Sequence, residues 1–147
     1  MRLAAIDIGS NSIHMIVVDA VPGRDLRIVA REKDMARLGD SAFAEGHLSA
    51  SVQARALSSI SRFLELARRL EVESVLASAT SAVREAGNGK AFLALVRKQT
   101  GLSVSLLSGQ EEARRIYLAV RDAMELKGPT SLVVDVGGGS TELILGD

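Results

Sequence analysis

Cysteine and tryptophan are absent from this 147-residue chain, and proline occurs only twice. Without cysteine there is no disulfide framework and no thiolate zinc site, which points to a reducing, cytoplasmic setting. Net charge is lacking as well. The 18 basic side chains are matched by 18 acidic ones, which argues against a nucleic-acid binder held by counterion release. No apolar run is long enough to span a bilayer, so no membrane partner is expected. Residues Met1 to Asp7 hold only a short apolar run before a carboxylate, unlike a signal peptide. What is present, 47% hydrophobic and 24% charged residues, suits one soluble α/β domain with a sizeable core.

The apolar pattern divides the chain into elements. Leu3 to Ile6 and Ile13 to Val18 flank the small polar cluster Gly9-Ser10-Asn11-Ser12, which reads as strand, tight turn and returning strand. Leu26 to Lys33 reads as a third strand after the Pro22-Gly23 turn. Val52, Ala56, Ile60, Phe63, Ala67 and Leu70 then recur at helical spacing, with Ser49 placed to cap the helix N-terminus. A short strand over Val75–Ser78 leads to a helical turn over Thr80–Ala86. Asn88 is placed to cap a helix ended by Gly101, Ser103–Leu107 reads as a strand, and Gln110–Leu126 as a last helix. The order β-β-β-α-β-α-β-α implies a mixed five-stranded sheet with helices on its faces.

After Lys127-Gly128-Pro129 the opening pattern returns: an apolar run, Asp135-Val136-Gly137-Gly138-Gly139-Ser140-Thr141, and a second apolar run. Asp7 and Asp135 are 128 residues apart, a plausible length for one structural repeat. Residues 1–128 then form one lobe, and residues 129–147 the first hairpin of a second, truncated lobe. In each copy a glycine-rich turn lets backbone N–H groups approach an anion, serine or threonine hydroxyls add donors, and an aspartate at the strand end can hold a cation.

Two further segments lie just past strand ends, where open α/β sheets place ligands. Ser108 and Glu111 have capping-box spacing, whereas Glu112 has no capping role: from spacing alone it reads either as a solvent-facing glutamate favoured by the helix dipole or as a group that orients or deprotonates a water. Arg84, in Ser78-Ala79-Thr80-Ser81-Ala82-Val83-Arg84, reads either as a surface arginine beside N-capping hydroxyls or as a bidentate grip on a phosphoryl group. Arg55, Arg62 and Arg69 recur every seven residues and read as a solvated helix face. His14 reads as a satisfied strand histidine rather than a metal ligand, and His47 falls in a turn.

Together, Ile6 to Met15, Ala79 to Arg84, Ser108 to Arg114 and Asp135 to Leu143 resemble the exopolyphosphatase and guanosine pentaphosphate phosphohydrolase family, in the family's order and over essentially the whole chain. The resemblance implies a ribonuclease-H-like lobe of the acetate and sugar kinase, heat-shock chaperone and actin superfamily. It also implies hydrolysis of terminal phosphoryl groups from polyphosphate or guanosine pentaphosphate in a cleft between two lobes. Carried over by residue, Glu112 is the base or water-positioning group and Arg84 the phosphoryl clamp. Gly9, Ser10, Asn11 and Ser12 form one phosphate loop, and Gly137, Gly138, Gly139, Ser140 and Thr141 the other. Asp7, Asp135 and Glu142 lie near a Mg²⁺ ion and the attacking water. An actin-like kinase and a non-catalytic binding fragment are the rival readings. The sequence leaves room for a homodimer, and this chain alone is expected to be inactive or very weak.

Overall fold

Alternation of side chains decides which face of the opening strands is buried. In the computed structural model, which describes residues 1–124, 126 and 130–146, β1 (Arg2–Ile8) buries Ala4, Ile6 and Ile8. Strand β2 (Ile13–Asp19) buries Ile13, Met15 and Val17. The two are antiparallel with Ile8 opposite Ile13, so the four residues of the loop between them sit at one end of the sheet. Strand β3 (Arg27–Asp34) pairs antiparallel with β2. Strands β4 (Ser74–Ala79) and β5 (Ser105–Leu106) add in parallel on the other side of β1, giving the order β3-β2-β1-β4-β5.

Helices α1 (Leu38–Glu45), α2 (Ala50–Arg69), α3 (Ser81–Glu85) and α4 (Gly89–Thr100) cover the face carrying Ala4, Ile6 and Met15. The stripe read from α2 is the buried one: Val52, Ala56, Ile60, Phe63 and Ala67 enter the same core as Phe92 and Val96 of α4. Each large side chain buried there contributes about 1.5–3 kcal/mol. The opposite face is open around β1, β2 and β4, where Asp7 and His14 are exposed and Leu76 retains 65% of its surface.

Several local readings hold and several do not. Ser49 caps α2, its hydroxyl accepting from the Val52 N–H. Asn88 does not cap α4 with its side chain. That amide instead clasps the backbone of Leu48, accepting from its N–H at 2.8 Å and donating to its carbonyl at 2.9 Å. Helix α1 was not anticipated, because its sequence, LGDSAFAE, has too few apolar residues to show a period. The arginine stripe of α2 is not merely solvated: Arg62 pairs with Asp34 of β3, and Arg55 donates to the Ala36 carbonyl at 3.2 Å. These bonds tie α2 to the β3–α1 connection.

Helix α5 (Gly109–Ala123) follows β5. The connection Lys127-Gly128-Pro129, read as the break between units, lies outside the described residues, as does Asp147. Strands β6 (Ser131–Val136) and β7 (Thr141–Gly146) then form a separate antiparallel hairpin that packs on α5. Among the described residues no helix is long and apolar enough to cross a membrane.

Candidate active site

The first glycine-rich loop is held by its own carbonyls. Ser10 O accepts from Gly39 N–H at 2.8 Å, Asn11 O from Arg37 N–H at 2.9 Å, and Ser12 O from Gly9 N–H at 3.0 Å. With three consecutive carbonyls engaged by protein donors, their negative ends are kept off an incoming anion, which meets the N–H side of the loop. Two of the three donors come from the start of α1, the element the sequence reading missed. Arg37 reaches its position with φ 52° and ψ 53°, a left-handed conformation uncommon for a residue with a side chain.

The second loop closes in the same way, Gly137 N–H donating to Ser140 O at 3.0 Å. The two loops lie against each other. A side chain on Gly138 would run into Asn11, and one on Gly139 would run into Phe43 of α1 and the Ser10 hydroxyl. A Cβ at either position would therefore have to displace these side chains, so the absence of one lets the two loops approach closely. The register places Asp7 opposite His14 and Asp135 opposite Glu142.

Arg84 and Glu112 meet directly. Arg84 Nη1 donates to Glu112 Oε2 at 2.9 Å and to the Leu107 carbonyl at 3.0 Å, while Nε donates to Glu85 Oε1 at 3.3 Å. Both partners are largely enclosed, with 23% and 14% of their side-chain surface exposed. The sequence reading gave the two residues separate tasks, and the structure joins them. Glu112 sits in the first turn of α5 because Ser108 caps that helix, accepting from Glu111 N–H at 3.2 Å. Only this half of the capping box forms; the Glu111 carboxylate turns to Arg115 at 3.0 Å.

Asp7, at the end of β1, is within electrostatic reach of His14 and Glu112. Although its residue faces the open side of the sheet, the protein around the Asp7 carboxyl partly desolvates it and raises its pKa above the ordinary value; nearby His14 opposes the rise, and the Glu112 charge adds to it. An open groove on the bare sheet face joins Asp7 and His14 to Lys33, Ser78, Ser105 and Arg115. Among the described residues no three carboxylate or imidazole side chains form a ready-made metal cluster. The expected metal set of Asp7, Asp135 and Glu142 is therefore not gathered into one cluster: Asp135 and Glu142 are cross-strand partners, and Asp7 pairs with His14 on the other hairpin. Each is nevertheless an oxygen donor of the kind Mg²⁺ takes alongside waters and substrate phosphates.

Comparison with known proteins finds relatives over nearly the whole chain. The chain is 36% identical over 143 residues to exopolyphosphatase 1 of Mycobacterium leprae, and 36% identical over 146 residues to exopolyphosphatase 1 of Mycobacterium tuberculosis. Those matches cover 97% and 99% of this chain but 42% of each relative, so the chain spans less than half of their length. Among solved structures, an exopolyphosphatase from Cytophaga hutchinsonii matches with a TM-score of 0.94 at 31% identity, over 100% of this chain and 47% of that one. The Aquifex aeolicus Ppx/GppA family member matches with a TM-score of 0.87 at 34% identity, over 99% of this chain and 47% of that one. The fold is that of a ribonuclease-H-like lobe of the actin-like superfamily, a mixed five-stranded sheet with packed helices. The Ppx/GppA phosphatase family model matches residues 16–147, and the chain belongs to that family.

Proposed function

We propose that this chain supplies one wall of a site that hydrolyses terminal phosphoryl groups of inorganic polyphosphate or of the 5′-triphosphate of guanosine pentaphosphate. The observation that carries the reading is the enclosed Arg84–Glu112 pair beside a glycine-rich loop whose carbonyls are tied back. Phosphoryl transfer asks a protein for positioning and charge neutralisation more than for covalent chemistry.

In this reading the loops Gly9 to Ser12 and Gly137 to Thr141 bind phosphoryl oxygens from two sides, through donors other than the Gly9 and Gly137 amides, which close the two turns. Arg84 Nη2, which carries none of the bonds described above, grips the phosphoryl group undergoing transfer. Glu112 Oε2 is fixed by Arg84 Nη1, so its other carboxylate oxygen is left to take a proton from water. The water oxygen forms the new P–O bond as the bridging P–O bond breaks, and the departing chain leaves with one phosphate fewer. Mg²⁺, when held by Asp7, Asp135 and Glu142, supplies neutralisation of the phosphate charge. Residues 1–128 constitute a first lobe and residues 129–147 begin a second, so the reaction takes place in a cleft between them.

The test is phosphate release from long-chain polyphosphate and from guanosine pentaphosphate, with and without Mg²⁺ and with no other phosphoryl acceptor. Release into water supports hydrolysis. Turnover only on addition of a small acceptor would make the site a kinase, and binding without turnover would make it a polyphosphate-binding module.

A further inference from the structure

The two hairpins correspond residue by residue. Gly9 and Gly137, Ser12 and Ser140, and Asp7 and Asp135 are each 128 residues apart, and both loops close with the same 3.0 Å glycine-to-serine bond. The cross-strand partner of Asp135 is Glu142, and that of Asp7 is His14, again 128 residues apart. The position that carries a candidate carboxylate in the second hairpin therefore carries an imidazole in the first. His14 is exposed on the open sheet face, between Asp7 on β1 and Lys33 on β3 in the register. Its Nε2 lies 2.8 Å from Ser12 Oγ.

A serine hydroxyl has one proton to give. Donated to an imidazole nitrogen, that proton would leave only oxygen lone pairs for a phosphoryl oxygen, and the contact would be repulsive. With Nε2 protonated the relation reverses: His14 donates, Ser12 Oγ accepts, and the hydroxyl proton is left for the anion. Tautomer choice at position 14 thus sets the sign of the Ser12 contact.

We propose that His14 is the positioning residue of the first phosphate loop, its Nε2–H donating to Ser12 Oγ so that the Ser12 hydroxyl proton is turned toward a phosphoryl oxygen. The assignment rests on the polyphosphate reading above.

The chain has only two histidines, His14 and His47, so a long-range ¹H–¹⁵N spectrum of the labelled chain at about pH 8, above the ordinary histidine pKa, resolves both rings, with His47→Gln as the assignment control. The expected result is the Nε2–H tautomer at His14, with its ring resonances shifted by Ser12→Ala. An Nδ1–H ring, or resonances indifferent to Ser12→Ala, overturns the proposal. In a titration with tripolyphosphate, Ser12→Ala and His14→Phe should each raise Kd about three- to tenfold, the range for one hydrogen bond. The double variant should bind no worse than either single one. His14→Gln, which offers an amide N–H near the Nε2 position, should stay within about twofold of the unsubstituted chain. Additive losses, or equal damage by Gln and Phe, overturn the role of His14 alone. Failure of the unsubstituted chain to bind tripolyphosphate overturns the polyphosphate reading and the purpose of His14 with it.

Discussion

Arg84 and Glu112 face each other at 2.9 Å across the gap between α3 and α5, two elements separated by a helix and a strand in the chain. The pair makes Glu112 a carboxylate with one oxygen spoken for. Glu112→Gln keeps an acceptor for Arg84 but cannot take a proton from water, so turnover should fall by at least ~100-fold with little change in melting temperature. Glu111→Gln should retain most activity, because the bond Ser108 makes is to the backbone N–H of residue 111. Equal losses in the two variants, measured as phosphate release, would remove the division between them.

Arg84→Lys keeps the charge and loses the fork. One ammonium cannot hold the Glu112 carboxylate, the Leu107 carbonyl and the Glu85 carboxylate while also gripping phosphate. A fall in kcat/KM of roughly 10- to 100-fold is expected, the range for hydrogen bonds to charged groups. Unchanged kcat and KM would show that Arg84 does not touch substrate.

Gly89→Ala should damage both stability and site. A methyl group there would collide with the Val83 carbonyl, one residue before Arg84. Overpacking of this kind costs about 1–3 kcal/mol, and relief requires α3 to move. Denaturant melts should show the loss, and activity measured well below the melting point should fall as well. A variant with full activity and full stability would show that α3 is free to shift.

Asp19 contributes to acid stability. The Arg2 side chain bonds its carboxylate at 2.7 Å and Arg27 adds a second ion pair, which holds the Asp19 pKa at about 2 against an ordinary 3.8. A pKa lowered by folding means stability present above the unfolded value and lost as pH falls through the folded one. The melting-temperature difference between the native chain and Asp19→Asn should therefore be constant above about pH 4 and shrink toward pH 2. A difference that stays constant down to pH 2 would show that Asp19 is not ion-paired in solution.

Because the chain spans 42% of exopolyphosphatase 1 of Mycobacterium tuberculosis, we expect its phosphate release to be very weak beside that of the full mycobacterial enzyme at equal concentration. Comparable rates would mean that one lobe and one hairpin suffice, and the two-lobe cleft would lose its support.

Strands, long helices and both loops were legible in the sequence because they carry period and composition: the stripe from Val52 to Ala67, the buried alternation of Ala4, Ile6 and Ile8, the glycine clusters. Helix α1 was not, since Gly39, Asp40 and Ser41 obscure any apolar period. Asn88 misled because a residue placed to cap can find a better partner in space, here Leu48, 40 residues away. Arg84 and Glu112 could each be singled out by their place after a strand, but their bond joins elements whose juxtaposition only the parallel β1–β4–β5 pairing creates. The 128-residue offset was visible throughout; pairing His14 with Glu142 through it required the register of both hairpins.

The backbone bonds from Gly39 and Arg37 to Ser10 and Asn11 also tie the loop to the start of α1. Those two amides belong to the cap and first turn, which have no partner within the helix, so the loop cannot swing away without leaving them unpaired. Their exchange thus reports loop opening rather than helix unfolding. Hydrogen exchange at Arg37 and Gly39, two amides that need not touch substrate, becomes a clock for how often the anion cradle comes apart, and an anion bound in the cradle should slow that clock from a distance.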